Sequence, residues 1–409
     1  MKLLMIAWGY VPYSFSEGLC NAKLNYALDE KGIEVTTISR VDTGNTYDKS
    51  WTSPWDKLKE NTILIDYPRG NFLTRSCDII YSSIVMDVYN ERGIRWARRV
   101  YQKALSLLKE EHFDAILTRS PNDISHIIGY KLKKKTGIKW IANWNDPADP
   151  IWPAEYSHNY PEKKQQKKIM ETWKLLSFAD INTFPSDTLR QHFLSNFPGL
   201  EGLRTEVIPH ISLTESLWPK IKFKNNSSKI RLIHSGNLSQ ERNPENLFIA
   251  LNKLRNEGFL NIEFHIMGHF NDFVKSLIEK YNLKSIVKSI GSFGYLESVA
   301  KLQEYDILVL IEAKLEKGIF FASKITDYAQ SGLPILAISP TNGFAKDMIT
   351  KYKAGIVTDN LSIDSIYEGI KTLITDNNRI YNYNSSKLSE QFKSDNIVKK
   401  YISLIEDKE

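Results

Sequence analysis

The chain has 409 residues, 42% hydrophobic and 25% charged, with a formal net charge of +6. That length exceeds what one core usually supports, so two domains are expected, and the apolar share excludes a disordered chain. Two cysteines, Cys20 and Cys77, exclude a disulfide scaffold and point to a reducing cytoplasm, while the modest charge, with no recognition motif beside it, speaks against nucleic acid.

At the N-terminus, strand-like LLMIAW is followed by helix-patterned NAKLNYALDEKG and by the strand EVTTIS. The opening apolar run is too short for a signal peptide, and no run reaches the roughly 20 apolar residues a spanning helix needs. Leu24, Ala27 and Leu28 recur at helical spacing, and Gly32 stops that helix. Before it, SFSEGLCNAKL places Glu17 and Gly18 in a loop after the first strand. Gly18 suits a turn there; Glu17 is either a carboxylate that orients an acceptor hydroxyl or a solvated loop charge.

Residues 90–112 set Arg92, Arg95, Arg98, Arg99 and Lys103 around Trp96, Val100, Leu105 and Leu108. Two readings stand: a crossover helix with a solvated charged side, or a basic amphipathic helix resting on an anionic membrane. DAILT, ISHIIGYKLKKKTG and KWIANW then repeat the strand-helix-strand rhythm, which predicts parallel strands with helical crossovers. His126, in that helix, is expected to be packed. In NWNDPADPIWP, residues 143–153, Asp146 follows a strand end, where a parallel sheet presents its ligand crevice, and precedes a proline that holds it extended or in a turn. It is either a turn cap or a substrate ligand.

The rhythm restarts after WPKIKFKNNSSK, a linker-like stretch at 218–229. The expected division is 1–217, linker 218–229, a second α/β domain at 230–387 and a helical tail at 388–409. In the second half, Gly236 follows the strand IRLIHS, and Arg242 stands before a helix started by Pro244, aiming a guanidinium at the carboxyl edge of the sheet. In FFASKITDYAQSGLPILAIS, Ser323 and Asp327 share one helix face. A helix start bearing Ser323 and Lys324 is a seat for a pyrophosphate, and Asp327, one turn on, suits the two hydroxyls of a ribose. The alternative is that Ser323 caps the helix and Asp327 only complements its dipole.

GNLSQERNPENLFIAL, IGSFGYLESVAKLQEYDILVLI and FFASKITDYAQSGLPILAIS, in this order and spacing, resemble the nucleotide-sugar half of the GT-B glycosyltransferases of retaining family 4. FDAILTRSPNDISHIIGYKLKKKTGIKWIANWNDP is similar to their acceptor-side half. The resemblance implies an α/β fold of two Rossmann-like parallel-sheet domains facing a central cleft. It also implies a C-terminal helix crossing back, so that Phe392, Ile397, Tyr401 and Leu404 pack on the N-terminal domain.

Residue by residue, the family's Gly-Arg-Leu turn and later lysine, which touch the donor diphosphate, fall on Gly236, Asn237, Leu238 and Arg242. Lys324 is the expected compensation for the missing basic group. The family's paired glutamates fall on Ile319 and Asp327. The turn Gly291, Ser292, Phe293 matches the segment against the base, although Phe293 also suits a core. Gly18 falls where the family has a Gly-rich loop facing the donor, and Asp146 where a histidine contacts the transferred sugar.

The implied activity is retaining transfer of a hexosyl or N-acetylhexosaminyl group from a nucleotide sugar to a glycan or lipid-linked glycan of bacterial surface polysaccharide. No metal or other cofactor is implied. Asp146, Arg242 and Lys324 are the catalytic candidates, in a cytoplasmic protein with a peripheral contact at the inner membrane face as a further expectation. A catalytically degenerate GT-B partner subunit and a GT-B nucleotide-sugar epimerase are the alternatives.

Overall fold

The computed structural model describes residues 1–11, 16–41, 56–67, 72–88, 93–121, 123–156, 160–219 and 229–407. The expected linker therefore lies mostly outside the described residues, as does Arg92. The chain divides into two units, Met1–Ile211 with Ser394–Glu409, and Ser212–Lys393.

The first unit opens with β1 (Lys2–Ala7), α1 (Ser16–Glu30), β2 (Glu34–Val41) and β3 (Thr62–Asp66). After α2 (Phe72–Ile80), a π turn (Tyr81–Val85) and α3 (Ile94–Glu110) come β4 (Ala115–Arg119), α4 (Ile124–Thr136) and β5 (Trp140–Asn143). The unit continues through α5 (Glu162–Phe178), β6 (Ile181–Phe184), α6 (Asp187–Asn196) and β7 (Thr205–Val207). Its strands form a sheet of order β3-β2-β1-β4-β5-β6-β7, and every pair is parallel. The central strands β1, β4 and β5 are almost wholly buried, the continuous apolar run of a sheet covered on both faces, whereas edge strand β3 is largely open.

The apolar face of α3 packs inward. Trp96, Ala97 and Val100 are fully buried in the core with Ile116, Ile127 and Trp140. The face expected to meet a membrane is thus a core face, and α3 is a crossover helix whose arginines line its outer side. Arg95 pairs with Asp78 at 2.8 Å and Arg99 with Asp66 at 3.7 Å.

The second unit carries β8 (Ile230–Ser235), α7 (Glu245–Asn256), β9 (Ile262–Met267), α8 (Asp272–Lys280) and β10 (Val287–Gly291). It continues with α9 (Tyr295–Leu302), β11 (Ile307–Ile311), α10 (Lys324–Ser331), β12 (Ile335–Ser339), α11 (Phe344–Lys351), β13 (Gly355–Asp359) and α12 (Ile363–Thr375). The strand order is β10-β9-β8-β11-β12-β13, again parallel throughout. Both sheets thus reverse direction beside their first strand, between β1 and β4 and between β8 and β11, which makes two Rossmann-like switch points.

The unit border lies earlier than 217. Ser212 N donates to Phe392 O at 2.9 Å and Gln330 Nε2 to Leu213 O at 2.8 Å, so residues after Ile211 belong with the second sheet. The C-terminal helix Ser394–Glu406 belongs to the first unit and buries Ile397, Val398, Tyr401, Leu404 and Ile405 against Leu24, Leu28, Ile208 and Ile211. Phe392 does not join them. It lies in the core of the second unit, 5.4 Å from the Phe321 ring, because the chain leaves that unit only after Lys393.

Candidate functional site

In the second unit, the carboxyl ends of β8 and β11 flank the switch point, and the chain there is built around glycine. Gly236 has φ 130°, and a Cβ on it would stand 2.6 Å from Lys324 Nζ. Its missing side chain is what lets the lysine reach the end of β8. The turn is pinned from behind. Gly236 N donates to Met267 O at 2.8 Å, and a Cβ on Gly268 would lie 2.6 Å from Gly236 O. Asn237, where the family carries an arginine, accepts from His269 N through Oδ1 at 3.0 Å and so ties the turn after β8 to the turn after β9.

Lys324 is the first residue of α10, and Ser323 is its N-cap residue, with a side chain that makes no capping hydrogen bond. The helix end follows its sequence: Gly332 takes φ 76°, and Pro334 leads into β12. Lys324 is half-buried. Desolvation first, and then the Arg242 charge, pulls its ammonium down to about 7, against the opposing pull of Glu312 and Asp327. Arg242 itself is exposed, with its N–H donating to Ser239 Oγ at 3.3 Å.

Three residues the sequence reading did not single out complete this cluster. Glu312, directly after β11, has its carboxyl pushed up to about 7 by desolvation, which Arg242 and Lys324 oppose. His234, on β8, is fully buried and held well below the ordinary range by burial and by Lys324. Its Nδ1 lies 3.0 Å from Val309 O, an acceptor only, so the neutral ring donates there and turns a lone pair on Nε2 towards the Gly236 turn. Tyr295, at the start of α9, donates to Asp327 Oδ1 at 2.8 Å. Asp327 is thereby oriented by a phenol from the neighbouring helix.

The structure brings Gly236, Arg242, Lys324 and Asp327 to one edge of the second sheet, with Ser323 beside them. Ser292, directly after the end of β10 at Gly291, is exposed. Phe293 is half-buried and packs on the apolar cluster of this unit, with Lys301 Nζ 4.4 Å from its ring centroid and its carbonyl accepting from Ser298 Oγ at 3.2 Å. Ile319 is buried. The loop that carries it is fixed by Gly318, whose N–H donates to Asn342 O at 2.8 Å, and by Asn360, whose Nδ2 donates to Ala313 O at 2.9 Å.

The first unit has its own cluster at the switch between β1 and β4. Glu17 and Gly18 lie in the first turn of α1, not in a loop, and both are buried. Glu17 Oε1 accepts from Asn145 Nδ2 at 2.5 Å and lies 3.6 Å from Arg119 Nη2. Burial lifts the Glu17 carboxyl to about 7; Asp146 adds to the shift, and Arg119 and Asn145 oppose it. Arg119, at the end of β4, also donates to Tyr401 OH at 3.2 Å, linking this cluster to the C-terminal helix. Asp146 is half-buried beside Asn145, whose own N–H donates to Ser120 Oγ at 2.8 Å. His126 is packed, 4.0 Å from the Trp144 ring and 2.7 Å from Thr118 Oγ1, and burial holds it at about 3. The signal for these residues was their place along the chain: Arg119 ends β4, Glu312 directly follows β11 and Asn145 lies two residues past β5.

Among the described residues no group of three or more His, Cys, Asp or Glu is placed to hold a metal ion, and no helix is long and apolar enough to cross a membrane.

Compared with known proteins, residues 219–395 match the family described as Glycosyl transferases group 1. Sucrose-phosphate synthase from Thermosynechococcus elongatus has a similar structure, with TM-score 0.70 and 14% identity over 99% of this chain and 98% of that one. Anabaena HepE, solved with UDP and glucose, gives TM-score 0.69 and 14% identity with both chains fully covered. Staphylococcus aureus TarM, solved with UDP, fondaparinux and alpha-GlcNAc-glycerol, gives 0.65 and 12%, again over both whole chains. A search of curated protein sequences finds no match. Residues 219–395 are thus similar to that glycosyltransferase family, and the whole chain has the two-sheet GT-B fold.

Proposed function

We propose that this GT-B chain is a retaining glycosyltransferase that moves a sugar from a nucleoside-diphosphate sugar to a hydroxyl of a glycan or lipid-linked glycan. The observation that carries the reading is the approach of Lys324 to the Gly236 turn, beside Arg242, at the switch point of a domain of the glycosyl transferases group 1 type. Two cations and a helix start at the carboxyl edge of a parallel sheet suit a diphosphate. Asp327, oriented by Tyr295, suits the ribose hydroxyls one helical turn away. The presence of UDP in the HepE and TarM structures supports a nucleotide in the corresponding fold.

In the reaction, the bond between the anomeric carbon and the diphosphate oxygen breaks, and its electron pair leaves with the diphosphate. Arg242 and Lys324 stabilise that developing charge, which is worth more at a partly desolvated edge than in water. The acceptor oxygen bonds to the same face of the anomeric carbon, and its proton passes to the departing phosphate oxygen. Before the donor arrives, Glu312 is the carboxylate that offsets Lys324. In the first unit, Asp146 binds a hydroxyl of the sugar or acceptor, and Glu17, Asn145 and Arg119 brace the loop that presents it.

The reading is tested by following nucleotide sugar with and without a glycan acceptor. Release of nucleoside diphosphate that depends on acceptor, with the anomeric configuration kept in the product by NMR, is expected. Conversion of the donor to an epimer without acceptor would replace it with an epimerase.

A further inference from the structure

His234 is fully buried on β8, and its two ring nitrogens meet different surroundings. Nδ1 lies 3.0 Å from Val309 O on β11, which also accepts from Tyr328 OH at 3.3 Å. Tyr328 OH accepts in turn from Ser235 N at 2.9 Å, so β8, β11 and α10 are joined on that side of the ring. A carbonyl only accepts, which fixes the proton on Nδ1 and a lone pair on Nε2. Nε2 has no hydrogen-bond partner among the described residues. A buried acceptor without a donor is costly, so what stands beside it matters.

A donor stands at the same spot. A Cβ built on Gly236 would lie 3.8 Å from His234 Nε2 and 2.6 Å from Lys324 Nζ, so the imidazole and the ammonium flank one bare glycine. Burial first and Lys324 second keep His234 neutral, with Arg242 adding to them. Around the lysine itself stand the charges of Arg242, Glu312 and Asp327, and the two carboxylates act on it without a hydrogen bond. Only the ring offers it a neutral lone pair from the strand beneath.

We propose that His234 is the positioning residue of Lys324: its Nε2 accepts one of the three ammonium N–H bonds, and the other two are left for the ligand. A turn about the last bonds of the flexible lysine stem, across the space that Gly236 leaves open, makes that hydrogen bond. An ammonium held at one N–H presents the remaining two in a set direction, whereas on a free stem it rotates. The neutral acceptor also favours the charged lysine, against the burial that disfavours it. That the ligand is a diphosphate rests on the donor reading above; the contact between the two side chains does not.

The test uses the donor-free full chain with His234→Asn and His234→Gln. Asparagine carries its amide where Nδ1 stands and can keep the bond to Val309 O, but has nothing at the Nε2 position. Glutamine reaches that position with an oxygen that accepts. The reactivity of Lys324 towards acetic anhydride is followed against pH by mass spectrometry of its peptide. The wild-type midpoint is expected at pH about 7, that of His234→Asn lower by about 1 or more, and that of His234→Gln back near the wild type. A purely structural histidine would give the reverse, with asparagine harmless and glutamine damaging. A midpoint unchanged in His234→Asn, or as low in His234→Gln as in His234→Asn, would overturn the proposal. Should His234→Asn melt early, the wild type and Lys324→Met decide. The 15N resonance of Nε2 should move to that of a bare imidazole lone pair when the ammonium is removed, and no movement would equally overturn the proposal. Calorimetry with UDP-, GDP-, ADP- and dTDP-glucose separates this contact from the donor reading. Affinity about tenfold weaker in His234→Asn and restored in His234→Gln supports both. A shifted midpoint with none of the four bound removes the donor reading and leaves the role of His234 standing.

Discussion

Gly236 has two reasons to be glycine, and they predict different things. Its φ of 130° strains any other residue, and its open side admits the Lys324 ammonium. Because a lysine tip is flexible, Gly236→Ala should leave the protein folded, with a melting point lowered by a few degrees, but displace the charge. Nucleoside-diphosphate binding should weaken about tenfold or more by calorimetry. Binding equal to wild type would mean that Lys324 does not hold the ligand. A pH series tests the same contact from another side. With the free ammonium and the neighbouring Glu312 carboxyl both near 7, a bound diphosphate favours the charged lysine and the neutral carboxyl, so affinity for a nucleotide sugar, whose diphosphate does not titrate in this range, falls as pH rises above about 7. Lys324→Arg keeps its charge throughout and should flatten the profile; an unchanged slope in this variant assigns the proton elsewhere.

The charged residues of the second site were read from the sequence because helix starts and strand ends have fixed chemistry: Arg242, Lys324 and Asp327 sit where local rules put them. Glu312 and His234 were not, although His234 stands in the strand read as IRLIHS and Glu312 directly follows β11. Their importance lies in burial next to a lysine, and burial is set by packing between distant segments. Asn237 shows the converse. Its position in the turn was legible, but its bond to His269 N depends on β9 lying alongside β8.

At the level of elements, the period of apolar residues gave β1, α1, β2, β4, α4, β5 and β8 in chain order, whereas β3, α2 and the run from α5 to β7 were not read from it. Two boundaries escaped it. Helix α1 begins at Ser16, so Glu17 and Gly18 are helical, because the first turn is held by a buried carboxylate network that no periodicity reveals. The C-terminal helix begins only at Ser394, because Phe392 finds its pocket in the second unit. Helix α3 was ambiguous for a plain reason: the same basic amphipathic pattern suits a membrane face and a core face, and only the neighbours of Trp96 distinguish them. The C-terminal helix also yields a prediction. Its five buried apolar side chains each contribute about 1.5–3 kcal/mol of burial. A chain ending at Lys393 should therefore melt well below the full protein or fail to accumulate. A melting transition and activity equal to those of the full chain would show that the helix is not part of the first core.

Across the whole molecule, the strand order around the first strand occurs twice, and a carboxyl lifted to about 7 by burial stands at each switch point, Glu17 in one unit and Glu312, beside Lys324, in the other. The duplicated α/β architecture was legible from the alternation of strand and helix, and the match of residues 219–395 to a glycosyltransferase family agrees with the half in which the motifs were densest.

The measurement that bears most directly on the central claim is the thermal shift of the full chain with UDP-, GDP-, ADP- and dTDP-linked sugars, run beside Arg242→Ala and Asp327→Ala. The account predicts that one nucleotide raises the melting temperature of the wild type and that both variants, folded on their own, lose that rise. A rise that survives in both variants, or no rise with any of the four, would contradict a diphosphate site built on Arg242, Lys324 and Asp327.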